Sequence, residues 1–224
     1  MASYKLNIAT VHGCPPAAQV AKAMEEFGLP EESEFGVLNV TSTPLAVFGS
    51  VVRKTRQSLP QLDAATGEVT AAAVERVTIY PFMVKPGAEI LEVYAGTAAG
   101  LEQVGLFLGG QLSLPTVVEP IERDVADMVE KISKLTERFC LQSVRINDYA
   151  HNSYMAGPYA PKFLDSDHGR EFMAEYADQV TGARVRFAGK AGRIGVNLSP
   201  KACFGYSCDE EDQALAQNIL RKLA

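Results

Sequence analysis

The sequence predicts an α+β protein with a mixed, mostly antiparallel sheet or sheets and about five helices packed on one side. Three observations carry this expectation. The β-rich stretches fall in neighbouring pairs separated by Gly and Pro signals. No β-α-β alternation runs the full length, which argues against a doubly wound parallel sheet. Between the pairs the apolar spacing changes from two to three or four residues, the helical period.

Taken in order, residues 4–11 alternate, with Tyr4, Leu6 and Ile8 on one face, and read as a strand. Pro15-Pro16 opens a helix carrying Val20, Ala23, Met24 and Phe27, which Gly28 and Pro30 stop. Two β-rich stretches, 35–41 and 45–56, break at Thr43-Pro44. Leu59 to Ala73, with Pro60, Asp63 and Gly67, reads as a mobile excursion between strands. Val74 to Val84 and Glu89 to Ala95 are joined by Lys85-Pro86-Gly87-Ala88 as a hairpin. Leu101, Val104 and Leu108 suit a short helix over 98–111, weakened by internal glycines.

The clearest helix is 121–139, where Ile121, Val125, Met128, Ile132, Leu135 and Phe139 form one apolar stripe after a first-turn Pro120. Asp127–Lys131 and Glu130–Lys134 are acid-before-base pairs one turn apart on its wet face. A strand over 141–149, a long loop and a helix over 167–180 follow. Ala183 to Phe187 and Arg193 to Leu198 read as a hairpin. The last helix begins at Ser207 with Glu210 at capping-box spacing, and Leu215, Ile219 and Leu223 bury its inner face. With no repeat, low-complexity tract or linker, 1–224 reads as one interlocked domain. A weak boundary near 115–120 would divide a β-rich half, 1–116, from a half of strands plus helices, 117–224.

At 224 residues, 47% hydrophobic and 21% charged, the chain has a globular composition and is long enough to bury a core without staples. It has no run of about 18 apolar residues, so no membrane-spanning helix and no membrane partner are expected. The N-terminus lacks a basic region followed by an apolar core, which points to the cytoplasm and to four reduced cysteines. Cys203 and Cys208 are spaced C-x4-C with no second pair, outside the rhythm of most zinc sites.

The net charge of −6 opposes a general nucleic-acid binder, but charge is segregated along the chain. No acid falls between Gln179 and Cys208, a span holding Arg184, Arg186, Lys190, Arg193 and Lys201. Phe35 to Leu62 is also free of acids and holds Arg53, Lys54 and Arg56. Acids gather at Glu25–Glu34 and at Asp209–Asp212.

Two stretches carry chemistry. Asn147 to Gly169 packs two of the three histidines, three aspartates and three tyrosines into 23 residues. Asp148, His151, Asp165, Asp167 and His168 have the donor types for Mg, Mn or Zn, and His151 titrates near neutrality as a general base would. Against this, one of Asp165, Ser166 and Asp167 is expected to cap the next helix, and no H-E-x-x-H, G-x-S-x-G or Walker pattern is present. His12-Gly13-Cys14 precedes a helix, a position where a thiol can become reactive.

The basic hairpin is the better lead. Arg184 and Arg186 lie two apart on a strand and so share a face, which Arg193 and Asn197 join from the paired strand, with Lys190 at the tip. Such a patch can meet a nucleic-acid backbone or an acidic protein surface, or be a solvated face balanced by the acids of the last helix. The reading that follows is a non-catalytic cytoplasmic binding protein or complex subunit that needs no cofactor. Its first partner is a protein, with nucleic acid second and an oligomer admissible. The binding residues are Arg184, Arg186, Lys190, Arg193, Arg53, Lys54 and Arg56. The alternative is a metal-dependent hydrolase or nuclease using the 148–168 loop.

Overall fold

The structure, a computed structural model, describes residues 1–62, 64–65, 67–96, 98–152 and 155–224. Among these, five α-helices and eleven strands form the α+β fold that strand pairing and apolar periodicity predict, with antiparallel neighbours throughout the pairings given below. No helix among the described residues is long and apolar enough to cross a membrane. The chain divides into two compact units. One comprises Met1–Thr10, Glu92–Leu101 and Val118–Ala224; the other comprises Val11–Leu91 and Glu102–Val117.

The second unit holds β2 (Phe35–Ser42), β3 (Val47–Leu62) and β4 (Val69–Lys85), an antiparallel meander on which α1 (Ala17–Phe27) packs. Val20 and Met24 are buried on α1, and Gly28 ends it by donating its N–H to Met24. The expected excursion over 59–73 is instead strand, since β3 and β4 stay in register from Val47↔Val84 to Leu62↔Val69. Val69, Thr70 and Val74 favour extended backbone, and Pro60 lies beyond Arg53, the last β3 residue that β2 pairs, where a missing N–H is tolerated. Beyond the short α2 (Ala98–Gly105) the chain widens into a π-turn over Leu106–Gln111, where the glycines weaken the regular helix. Gly13 sits at φ +68, and a Cβ there would fall 2.0 Å from the Pro115 carbonyl oxygen, so this tight approach needs glycine.

The first unit is built on an antiparallel sheet in the order β1 (Ala2–His12), β11 (Cys203–Cys208), β10 (Arg193–Leu198), β9 (Val180–Ala188), β7 (Cys140–Asn152) and β8 (Met155–Tyr159). One face is apolar: Leu6, Ile8, Phe204, Tyr206, Ile194, Val196, Val185 and Phe187 are all at most 3% exposed. It is covered by α3 (Val125–Leu135) against β9, α4 (Ser166–Glu175) against β7 and α5 (Gln213–Arg221) against β11. Burying large aliphatic and aromatic side chains in this layer contributes about 1.5–3 kcal/mol each.

Three helix boundaries differ from expectation for local reasons. The helix expected over 121–139 is α3, capped by Asp124, which accepts the N–H groups of Ala126 and Asp127; Pro120 instead ends a short strand, β6 (Val117–Pro120). The helix expected over 167–180 stops at Glu175, and Val180 begins β9. The Ser207–Glu210 capping box does not form, because Ser207 lies inside β11, paired to Ser3 and Gly195. A 3-10 turn over Glu210–Asp212 leads into α5, whose buried side is Ala216, Ile219 and Leu220, with Leu223 beyond its end.

The inner end of α5 is tied down by a polar network within the first unit. Glu92, 1% exposed, accepts from the Arg221 guanidinium at 2.8–3.0 Å and from the Tyr94 hydroxyl at 2.8 Å. Burial, then the charge of Glu92, holds the Tyr94 phenol far above its ordinary pKa.

Candidate polyanion-binding face

The face of the sheet opposite the helices follows from strand parity. On β9, Val185 and Phe187 point into the core, so Arg184 and Arg186 point away from it. Residues directly opposite in an antiparallel ladder share a face, so register extends the set across strands. One row runs Lys5, Gly205, Asn197, Arg184, Ser143; the next runs Ser3, Ser207, Gly195, Arg186, Cys140. Arg193, opposite Ala188, joins the same face, as expected of it and of Asn197. Arg184 and Arg186 are about 6.8 Å apart along the strand, and Lys5 lies three strands from Arg184, about 14 Å.

Small residues line the middle of this face. A groove of about 420 Å³ is bordered by Lys5, Arg145, Arg184 and Asn197, with Gly182 and Gly205 in its floor. A Cβ on Gly205 would lie 3.2 Å from Lys5 Nζ, and one on Gly182 would lie 3.1 Å from the Leu198 carbonyl oxygen. Side chains at either position would therefore fill the groove.

The β9–β10 turn is fixed from behind. Asp212, fully buried, accepts the Lys190 N–H at 2.6 Å and those of Ala191 and Gly192 at 3.1 Å, while Gly189 donates to Gly192 across the turn. Gly189 has to be glycine for steric reasons, since its Cβ would lie 2.2 Å from Asp212 Oδ2. Asp209 sits 3.5 Å from the N-terminal amine. These acids thus serve the turn and the terminus. Among the described residues, no carboxylate lies within 4.0 Å of Lys5, Arg145, Arg184, Arg186, Lys190 or Arg193.

Arg53, Lys54 and Arg56 belong to the second unit. Arg53 donates to Gln103 and lies over the Phe35 ring, and Lys54 donates to the Pro30 and Glu31 carbonyls at 3.1 Å. Arg56 is exposed beside the Glu31–Glu34 acids and opposite Glu75. Each therefore has a local structural partner or neighbouring acids.

The 148–168 stretch, expected as a loop, begins as paired strands: β7 runs on to Asn152, β8 spans Met155–Tyr159 against it, and α4 starts at Ser166. Its tyrosines carry the change, since Tyr149 stacks on Tyr159 at 4.5 Å and packs with Phe172 and Tyr176 of the following segment. Asp165 caps α4 by accepting the Asp167 N–H at 2.7 Å, and it also bonds His168 Nδ1. The backbone N–H of Asp167, then His168, lowers the Asp165 pKa; the Asp165 hydrogen bond and charge raise that of His168. Asp167 lies 3.7 Å from Arg170, and Asp148 is exposed on β7. The His151 side chain lies outside the described residues. Among the described residues no three His, Cys, Asp or Glu side chains converge as a metal site would require. Burial raises the thiol pKa of Cys14, Cys203 and Cys208, opposite to the shift that activates a nucleophilic cysteine.

Sequence reasoning missed Lys5 and Arg145. Alternation already put Lys5 opposite Leu6 and Ile8, but only the β1–β11 and β7–β9 registers bring these two cations to the arginines. No protein-family model matches the chain, and no curated protein matches it.

Proposed function

We propose that this chain is a cytoplasmic, non-catalytic binding protein whose first unit holds a nucleic-acid backbone, duplex in preference to single strand, on its open sheet face. The observation that carries the reading is the pair of cross-strand rows in which cations without carboxylate partners among the described residues flank a floor of glycine and serine. Phosphates are held by such donors, and arginine adds bidentate geometry. Neither row contains an aromatic or a large apolar residue. Protein interfaces depend on such anchors at their centres, and single-strand platforms stack bases on them. A positively charged, polar face suits the backbone of a duplex. The net charge of −6 does not oppose this, because acids of the first unit lie on α3 and α4, the helices that pack on the other face of the sheet, and Asp212 is committed to the turn amides.

The test is an anisotropy titration of a labelled duplex at several salt concentrations. Four phosphate contacts predict a log–log salt slope of roughly −3.6. Lys5→Glu with Arg184→Glu, both at exposed positions, removes binding and leaves Tm unchanged. Equal binding by wild type and the double variant refutes the reading. Saturable binding of polyglutamate with none of duplex moves it to an acidic protein surface.

A further inference from the structure

At the turn end of the same face is a second, separate concavity. A pocket of about 540 Å³ lies between the β9–β10 turn and the start of β7, and it is lined by Arg138, Arg186, Lys190 and Arg193 with no acidic side chain. Its volume is that of a small-molecule site. The turn's backbone amides are already engaged by Asp212, so the side-chain cations are what the pocket offers an anion. Arg138 is held there by an unusual backbone. Its φ is +50, a left-handed conformation that a branched-chain or long residue adopts only when its surroundings impose it, and such outliers gather at functional sites. The constraint is visible: Glu137 accepts the Ala188 N–H, and Cys140 pairs with Arg186, so the chain between them must turn tightly.

We infer that this pocket binds a phosphomonoester, the terminal phosphate of a nucleic-acid strand or of a free nucleotide. This rests on the reading of the face as a backbone-binding surface, and it assigns the pocket to the strand end. An internal phosphodiester carries one negative charge, whereas a terminal monoester carries about −1.5 to −2 near neutrality and three acceptor oxygens. Four cations lining one pocket, with the Asp212 carboxylate behind it committed to the turn amides, match the monoester better. An open face suits a continuous backbone; a concavity at its edge suits an end.

The experiment compares labelled duplexes carrying a 5′-phosphate, a 3′-phosphate or hydroxyl ends, in wild type and in Arg138→Asn, a residue that accepts the left-handed backbone. The expected result is about tenfold tighter binding of one phosphorylated end, lost in Arg138→Asn while binding of the hydroxyl-ended duplex is unchanged. Equal affinity for all three duplexes overturns the pocket inference and leaves the face reading intact. If no duplex binds, the face reading fails and a nucleoside monophosphate is titrated alone. Saturable binding lost in Arg138→Asn then supports the pocket with a free nucleotide as its ligand, and absence of binding overturns it.

Discussion

Removing the carboxylate of Asp212 should unfasten the β9–β10 turn and destabilise the first unit. The side chain is fully buried and accepts three backbone N–H groups, from Lys190 at 2.6 Å and from Ala191 and Gly192 at 3.1 Å. In Asp212→Ala all three donors lose their acceptor. A buried donor left unsatisfied costs about 1–3 kcal/mol. Lys190 and Ala191 are exposed, so part of the turn can recover bonds to water, and the net loss should be about 2–4 kcal/mol. For a unit of this size that corresponds to a fall in Tm of roughly 8–15 °C. Asp212→Asn keeps one acceptor oxygen and should fall between alanine and wild type. The control is Asp209→Ala, which loses only a half-exposed pairing with the N-terminal amine and should shift Tm little. Hydrogen exchange adds a local readout, since protection at Lys190, Ala191 and Gly192 should collapse before that of β9 and β10. If Asp212→Ala melts with Asp209→Ala and the three amides stay protected, the turn is held by something other than this carboxylate.

Two further perturbations probe the first unit. Arg221→Met removes the cation that faces Glu92, which is 1% exposed, and breaking a buried ion pair at one partner costs about 3–5 kcal/mol; recovery of stability in Glu92→Gln with Arg221→Met, read by urea unfolding, separates loss of the charge pair from loss of packing. At α4, the raised His168 pKa gives a stabilisation that is complete below the ordinary imidazole value, about 6.5, and lost as pH rises through the folded value. The lowered Asp165 pKa gives one present above the ordinary carboxylate value, about 3.9, and lost as pH falls through the folded value, so the pair is strongest between these limits. NMR titration should show His168 titrating above the ordinary value in wild type and lower in Asp165→Asn, which preserves the helix cap, with Glu171 and Asp167 still raising it; an unchanged midpoint refutes the pairing.

Local chemistry was legible in the sequence wherever a residue acts on its near neighbours. Leu6 and Ile8 mark the core side of a strand whose Lys5 is exposed, although Asn7 and Ala9 are buried too, and the three-and-four spacing of Val125, Met128 and Ile132 defines the buried stripe of α3. A helix cap among Asp165, Ser166 and Asp167, which the structure assigns to Asp165, the Glu130–Lys134 pair and the common face of Arg184, Arg186 and Arg193 all lie within one turn or one hairpin. These features depend on backbone periods of 3.6 and 2, which sequence spacing encodes directly.

Only the tertiary structure decided what depends on partners far along the chain. The Asn147–Gly169 stretch is rich in turn residues, yet its first half forms the paired strands β7 and β8, where Tyr149, Tyr159, Phe172 and Tyr176 cluster. Ser207 and Glu210 have capping-box spacing, but pairing of Ser207 with Ser3, more than two hundred positions away, makes it a strand residue. The same long-range register brings Lys5 and Arg145 beside Arg184, while Asp212 is spent on the turn amides and Asp209 on the N-terminal amine. Spacing fixes which way a side chain points; cross-strand register and burial fix what it meets there, and those are properties of the folded sheet.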